Sequence, residues 1–320
     1  SQKGCKNNGL CSFGGCNKLE VYDWLANVTL PENQKPYEIV EIRFKNARKS
    51  FYRNMNQLPL QAGDVVVVEA VPGYDIGVVS VTGELARIQV RKKAPHFKHA
   101  ETRKIIGVAN QEQIDQWIKG RALEKDIMFQ SRSLALNLGL EMKISDVEYQ
   151  ADLTKATFYY TAEDRVDFRQ LIKDMADKFK VRIEMRQIGS RQESSRLGGI
   201  GSCGRELCCS TWLTDFRSVS TSAARYQQLS LNPQKLAGQC GKLKCCLNYE
   251  LDTYMEALDA FPKGKTVKVD TEVGTAIMVK TDILKRLTWF VYEDKHSWIC
   301  MPLDTINSYI EMNAKGQKAP

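Results

Sequence analysis

The sequence predicts an α+β protein assembled from several small units, and three features carry that reading. Glycine-punctuated β-branched runs stand near both ends of the chain. Between them, helical and strand periodicities alternate in the order α-β-β-α-β. A cysteine-rich repeat then separates this central segment from the last β-rich stretch. The expected organisation is a Cys-rich arm at 1–20, an N-terminal β domain at 21–95 and a central α+β domain at 105–200. A Cys-repeat metal or cluster region at 201–250 follows, then a C-terminal helix and small barrel-like β unit at 251–312.

Taken in order, YEIVEIRFK from Tyr37 alternates Ile39, Val40, Ile42 and Phe44 with polar residues as a strand, less strictly than an ideal half-buried one. GDVVVVEAV suits a fully buried strand. YDIGVVSVTGELARIQV continues as strands broken at Gly73, Gly77 and Gly83, suggesting a small antiparallel barrel or sandwich. From Arg87 to Lys104 there are seven Lys or Arg and one acidic residue around Pro95, a pattern read as a linker. Residues 110–139 read as helix, with Ile114, Trp117, Ile118, Leu123, Ile127, Leu134 and Leu138 at helical intervals. DVEYQADLTKATFYYTAE is a hairpin turning near Asp152–Lys155. Thr161 with Asp164 resembles a helix N-cap, and Phe168, Leu171, Ile172, Met175 and Phe179 form the stripe of the helix behind it. VRIEMRQI closes the unit as a strand near Ile188. GSRQESSRLGGIGSCG reads as a Gly-, Ser- and Arg-rich connector. YELDTYMEALDAF is a helix, and GKTVKVDTEVGTAIMVK, LTWFVYED and SWICMPLDTI are strands, with Gly264 and Gly274 at turns.

Composition narrows the function classes. With 43% hydrophobic and 26% charged residues, the chain has the make-up of an ordinary globular protein. No apolar run reaches the ~18 residues of a membrane span, and SQKGCKNNGL lacks the apolar core of a secretory signal. A net charge of +8 permits nucleic acid, an anionic surface or an acidic partner without selecting one. His96, His99 and His296 are the three histidines, a poor supply for histidine catalysis or a multi-histidine site. LGGIGSCG lacks the Lys-Ser/Thr of a P-loop and the strand-turn-helix setting of a dinucleotide fingerprint. No motif supports catalysis.

The chemistry-bearing feature is a repeat. GSCGRELCC at 201–209 and GQCGKLKCC at 238–246 share the outline Gly-x-Cys-Gly-basic-x-x-Cys-Cys, 37 residues apart, and hold six of the ten cysteines. Thiolate pairs spaced by a few loop residues converge on one metal, and neighbouring glycines let the backbone curl around it. Cys203, Cys208, Cys240 and Cys245 are the leading ligands, as two arms of one site, with Cys209 and Cys246 beside them. The spacing suits tetrahedral zinc and also occurs in one class of iron–sulfur ferredoxin. Arg205, Lys242 and Lys244 are placed to offset thiolate charge. Two other readings stay open: buried cysteines acting as small hydrophobes, and disulfides in an oxidising compartment. Adjacent cysteine pairs and ample core material favour ligation in a reducing cytoplasm. Cys5, Cys11 and Cys16 either join a metal site or are incidental thiols of an arm, and Cys300 is expected in the core.

Arg186, Arg191, Arg196 and Arg205, interspersed with Gly and Ser, form a candidate phosphate or nucleic-acid contact, weighed against a solvated connector. Trp289, Tyr292 and Trp298 suit either base stacking or the core of a small β unit. A thiol redox enzyme is disfavoured because Cys-x-x-Cys is missing.

RQIGSRQESSRLGGIGSCGRELCCSTWL and LSLNPQKLAGQCGKLKCCLNYE resemble the core of the PSP-one C-terminal domain family, and within it the bacterial YaaT/RicT group. The resemblance spans Tyr37 to about Ile310. Gly198-Gly199, Cys203-Gly204-Arg205, Cys208-Cys209, Leu231-Asn232-Pro233, Cys240-Gly241 and Cys245-Cys246 fall on its motif positions. Ser202 stands where a proline is usual and Gln192 where an aspartate is usual. The resemblance implies a cytoplasmic protein without known enzymatic activity. It implies work in a complex with small helical partners that carries iron–sulfur clusters, of the 4Fe–4S type. That complex would steer an endoribonuclease in RNA maturation and affect sporulation, competence and biofilm programmes. The Cys5/Cys11/Cys16 arm lies outside the shared core. The alternative function is a zinc-stabilised nucleic-acid-binding module that uses the Arg-rich loop and the basic 87–104 segment.

Overall fold

A computed structural model describes residues 24–25, 37–93, 102–214, 216–264, 267–292 and 295–320. The arm carrying Cys5, Cys11 and Cys16 lies outside the described residues, as does the 94–101 part of the basic segment. The chain divides into two units, residues 1–215 and 216–320.

The first unit begins with β1 (Ile39–Arg43), a short 3-10 turn at Lys45–Ala47, β2 (Lys49–Arg53), β3 (Val65–Glu69) and β4 (Tyr74–Val81). Helix α1 (Gly83–Lys93) and strand β5 (Ile105–Val108) follow. The five strands pair antiparallel in the order β2-β1-β4-β3-β5. The edge strands approach at one end through a single parallel bridge, Arg53 to Lys104, so the sheet curls without closing as a barrel. The run Val65–Val68 is buried throughout because both faces of β3 are covered. Val66 and Val68 meet Val40, Ile42 and Tyr52 on one face, and Val65 and Val67 meet Ile76 and Trp117 on the other.

Two expectations fail in this unit. GELARIQV is helix α1: Leu85, Ala86 and Val90 face inward, while Glu84 pairs with Arg87 at 3.2 Å one turn on. Arg87–Lys93 therefore belong to a helix and not to a linker, and β5 just beyond Lys104 completes the first sheet.

The central segment matches its predicted order. Helix α2 (Gln111–Asn137) starts at a capping box in which Asn110 accepts from the Gln113 N–H and Gln113 accepts from the Asn110 N–H. Its first turns put Trp117 under the first sheet, and its later turns put Ile127 and Ala135 into a second core. There β6 (Lys143–Tyr149), β7 (Lys155–Thr161), α3 (Arg169–Phe179) and β8 (Arg182–Gln187) form a three-stranded sheet in the order β6-β7-β8 with β7 and β8 parallel. Phe158, Leu171 and Met175 are fully buried, and each contributes about 1.5–3 kcal/mol. Thr161 does not cap α3. It ends β7, and Phe168 occupies the cap position without a side-chain bond.

The predicted connector at 189–197 is α4 (Ser190–Leu197), entered through the Gln192 side chain, which accepts from the Gly189 N–H. Helix α4 is held by a cluster of buried charges that also joins the two sheets of this unit. Lys45 reaches Glu124 at 2.6 Å and Asp146 at 2.7 Å. Arg48 meets Glu148 at 2.5 Å and Asp75 at 3.5 Å, and the Tyr159 hydroxyl donates to Glu148 at 2.9 Å. From α4, Arg196 closes the set, 2.8 Å from Asp146 with its guanidinium 3.6 Å over the Tyr159 ring. Burial pushes the Asp75 carboxyl up to about 6 against the pull of Arg48. Burial also opposes ionisation of Glu148, but the Arg48 guanidinium outweighs it and holds that carboxyl below its usual range.

The first unit ends with the short helix α5 (Cys208–Thr211), and the second carries the short helices α6 (Thr221–Tyr226) and α7 (Pro233–Leu236) and the longer α8 (Cys246–Asp259). Strands β9 (Lys268–Thr271), β10 (Gly274–Asp282), β11 (Leu287–Tyr292) and β12 (Lys295–Pro302) form an open antiparallel sheet, followed by α9 (Leu303–Ala314). The C-terminal β unit is thus a four-stranded open sheet and not a barrel, since β9 and β12 are its two edges among the described residues. LDTI is helical: Leu303 and Ile306 are 1% exposed and anchor α9 after Pro302. Phe290, Val269 and Ala276 pack against Ile306 in this core.

Candidate metal centre

Each cysteine repeat folds as a tight knuckle whose backbone bonding recurs at the constant sequence offset. In the first, Gly201 N–H donates to Arg205 O at 2.7 Å, Gly204 N–H to Gly201 O at 2.9 Å, and Leu207 N–H to Gly199 O at 3.0 Å. In the second, Gly238 donates to Lys242 at 2.8 Å, Gly241 to Gly238 at 3.0 Å, and Lys244 to Leu236 at 3.0 Å. A β-bridge stands beside each turn, Ile200 with Glu206 and Ala237 with Leu243. Gly204 at φ +77° and Gly241 at φ +72° take the left-handed conformation that an L side chain resists. Sequence and turn thus agree: the Cys-Gly pair of the motif supplies a thiol followed by a residue able to reverse the chain.

The thiols take matching places. Cys203 and Cys240 sit in the turns, and each sulfur folds back over the first glycine. A Cβ built on Gly201 would lie 3.4 Å from Cys203 Sγ, and one on Gly238 would lie 3.7 Å from Cys240 Sγ. Cys208 opens the short helix α5 (Cys208–Thr211), and Cys245 caps α8. Cys203 is exposed, Cys208, Cys240, Cys245 and Cys246 are half-buried, and Cys209 is buried. The Cys209 carbonyl accepts from the Ser195 hydroxyl of α4, which ties the first knuckle to that helix. The described cysteines form no disulfide.

The donor chemistry fits a soft thiophilic centre, with one Cys-x4-Cys pair per knuckle and cationic Arg205 or Lys242 in the same turn. Among the described residues, no group of three or more His, Cys, Asp or Glu side chains is arranged to hold a metal ion. Each knuckle taken by itself therefore supplies a thiol pair and not a complete ligand set.

The remaining sequence candidates scatter. Arg186 lies on β8 beside Glu184 at 3.3 Å, Arg191 on α4, and Arg205 in the exposed turn. Arg196 is turned inward to Asp146 and Tyr159, so it does not face solvent with the others. Cys300, expected in the core, is exposed on edge strand β12. Tyr292 packs in the C-terminal core, Trp289 lies under Lys280 at 5.3 Å, and Trp298 is exposed. Sequence reading stopped each repeat at its adjacent cysteine pair. It thereby missed Trp212 and Tyr249, which stand at the same offset four residues after Cys208 and Cys245.

An α+β chain with two glycine-turned thiol knuckles is a cysteine-knuckle protein of mixed architecture, and comparison with known proteins places it more closely. Residues 103–188 match the PSP1 C-terminal conserved region, residues 218–261 the third domain of PSP1-like proteins, and residues 270–315 the YaaT C-terminal domain. The chain is 42% identical over 253 residues to stage 0 sporulation protein YaaT of Bacillus subtilis, covering 78% of this chain and 88% of that protein. It belongs to the YaaT/PSP1 family. An uncharacterized protein of Schizosaccharomyces pombe is 28% identical over 193 residues, covering 53% of this chain and 26% of that protein. Protein PSP1 of Saccharomyces cerevisiae is 50% identical over 44 residues, covering 14% of this chain and 5% of that protein. No solved structure matches. No helix among the described residues is long and apolar enough to cross a membrane.

Proposed function

We propose that this chain is a regulatory adaptor of the YaaT kind that holds an iron–sulfur centre, of 4Fe–4S type, through its knuckle thiolates. It acts in the cytoplasm with protein partners, an endoribonuclease among them, in RNA maturation, and has no catalytic activity of its own. The relative's name as a stage 0 sporulation protein supports a regulatory role. The observation that carries the reading is the recurrence of one backbone turn with one Cys-x4-Cys pair in both repeats. Two unrelated loops of buried cysteines have no reason to share five residue positions and three turn-closing hydrogen bonds.

Cys203, Cys208, Cys240 and Cys245 are the leading ligands, with Cys209, Cys246 and the Cys5/Cys11/Cys16 arm as further thiols. Such a centre supplies folding energy and a redox-sensitive charge when bound. The chain's own part is to hold the thiols on rigid turns and to set Arg205 or Lys242 beside them.

Anaerobic purification with iron, zinc and acid-labile sulfide analysis tests this directly. Brown protein with iron and sulfide, bleached by Cys203→Ser/Cys208→Ser, is the expected result. Colourless protein with stoichiometric zinc would instead favour the zinc-stabilised nucleic-acid-binding module, and that module requires RNA affinity that falls steeply with salt.

A further inference from the structure

The C-terminal sheet has two unlike faces. On one, α9 lays Ile306 against Val269, Ala276 and Phe290. Alternation along each strand turns the intervening residues to the other face. The register sets four of these side by side. Trp298 on β12 opposes Val291 on β11, Val291 opposes Ile277 on β10, and Ile277 opposes Lys268 on β9. Two residues along β11, Trp289 opposes Lys280 on β10. The two indoles are therefore diagonal partners on neighbouring strands, their backbones about 7–8 Å apart. Trp298 is 59% exposed and Trp289 is half-buried. The Lys280 ammonium lies 5.3 Å from the Trp289 ring centroid, within cation–π reach. Asp270 and Asp282 share this side and are engaged locally. Asp270 accepts from the Thr275 hydroxyl at 2.7 Å and Asp282 from the Lys285 N–H at 3.0 Å.

We propose that this face binds single-stranded RNA, with Trp298 and Trp289 each stacking a base and Lys280 meeting a phosphate. Aromatic rings presented by adjacent strands of an open sheet offer every base a π-face, and a neighbouring cation holds the backbone. The ring-and-ammonium pair suits a nucleotide, which is planar and apolar at one end and anionic at the other. A protein-docking face would be made differently, since lysine is depleted at the centre of such interfaces, and here Lys280 lies against the ring itself. A duplex does not suit the face, because its bases are stacked on one another. The inference rests on the RNA-maturation reading above, for which it names a point of contact, and needs neither the metal centre nor its ligands.

Fluorescence anisotropy of a labelled single-stranded oligoribonucleotide of about twelve nucleotides, titrated with the full chain, is the test. Trp298→Ala and Trp289→Ala should each weaken binding about ten-fold or more. Trp298→Phe and Trp289→Phe should stay within about three-fold of the unsubstituted chain, since a phenyl ring keeps a stacking face, and this separates stacking from a folding defect. Lys280→Gln should lower the slope of affinity against salt by about 0.7, the value of one single-strand phosphate contact. Equal affinity for an RNA duplex of the same length would overturn the inference. Binding unchanged in both alanine variants would also overturn it, leaving this face to a protein partner and the RNA to another surface. Absence of binding at low salt would overturn it and remove direct RNA contact by this chain. Metal and sulfide content, which decide the centre proposed above, are measured separately and bear on none of these outcomes.

Discussion

The two knuckles share a backbone and differ in what holds them. The first is braced from behind by α4, through the Ser195 bond to the Cys209 carbonyl and the Arg196 pair with buried Asp146. The second rests on a small apolar cluster of Ala223, Ala224, Leu236 and Leu247, with the Gln227 amide donating to the Leu247 carbonyl at 2.6 Å. Position 209 is accordingly buried, whereas its counterpart Cys246 is half-buried. The turn is thus written locally, by Gly-x-Cys-Gly, while the support is supplied by whatever unit surrounds it. One support is electrostatic and the other is apolar, so the two should fail under different perturbations.

The largest difference should come from Arg48→Ala. It leaves Glu148 buried without its guanidinium, a loss of about 3–5 kcal/mol for a broken buried pair. Hydrogen exchange should rise in β6, β7, α4 and the Cys203–Cys208 turn, while the Cys240–Cys245 turn keeps its protection. Equal loosening of both turns would break the comparison.

The pH response of Asp75 comes next. Its folded pKa of about 6 lies above the ordinary aspartate value of 3.8, so the proton is bound more tightly in the folded state. Its contribution is full below the unfolded value and is lost as pH rises through about 6. The stability of the chain relative to Asp75→Asn should therefore drop by on the order of 3 kcal/mol between pH 4 and pH 7. Glu148, held low, acts in the opposite sense and loses its contribution as pH falls below the ordinary glutamate range. Denaturant melts of both proteins across that window check the sign. A constant difference would remove Asp75 from the network.

Smaller still, Gly204→Ala and Gly241→Ala should each cost about 1–2 kcal/mol for the left-handed φ alone. A Cβ at either position meets nothing within 4 Å, so the two costs should be equal. Unequal costs would mean that the surroundings shape the turn after all. The smallest effect is Asn232→Ala, which removes the cap of α7 at Gln234 and costs about 1 kcal/mol, felt at the second knuckle alone.

Much of this was readable from residues. The buried valine run, the long α2, the 143–161 hairpin and the paired cysteine turns follow from local pattern and glycine placement. What was misread had a competing local signal. In α1, the alternation of Ala86, Ile88 and Val90 with Arg87 and Gln89 masked a helix that shows only when Leu85, Ala86 and Val90 meet a core. In α4, Gly and Ser content suggested a connector, yet its order comes from Gln192 at its start and tertiary bonds from Ser195 and Arg196. The charge cluster had no sequence signature at all, because Lys45 and Asp146 lie 101 residues apart. The repeat also extends further than read: continuing the comparison three residues past each cysteine pair finds an aromatic in both copies, Trp212 and Tyr249.

The central claim is that the two knuckles carry metal through their thiolates. X-ray absorption at the metal edge of the anaerobically isolated full chain tests it most directly, set beside Cys203→Ser/Cys208→Ser and Cys240→Ser/Cys245→Ser. The account predicts a first shell of sulfur alone, with metal content falling in both variants. A shell of nitrogen or oxygen, or full metal content in either variant, would contradict it.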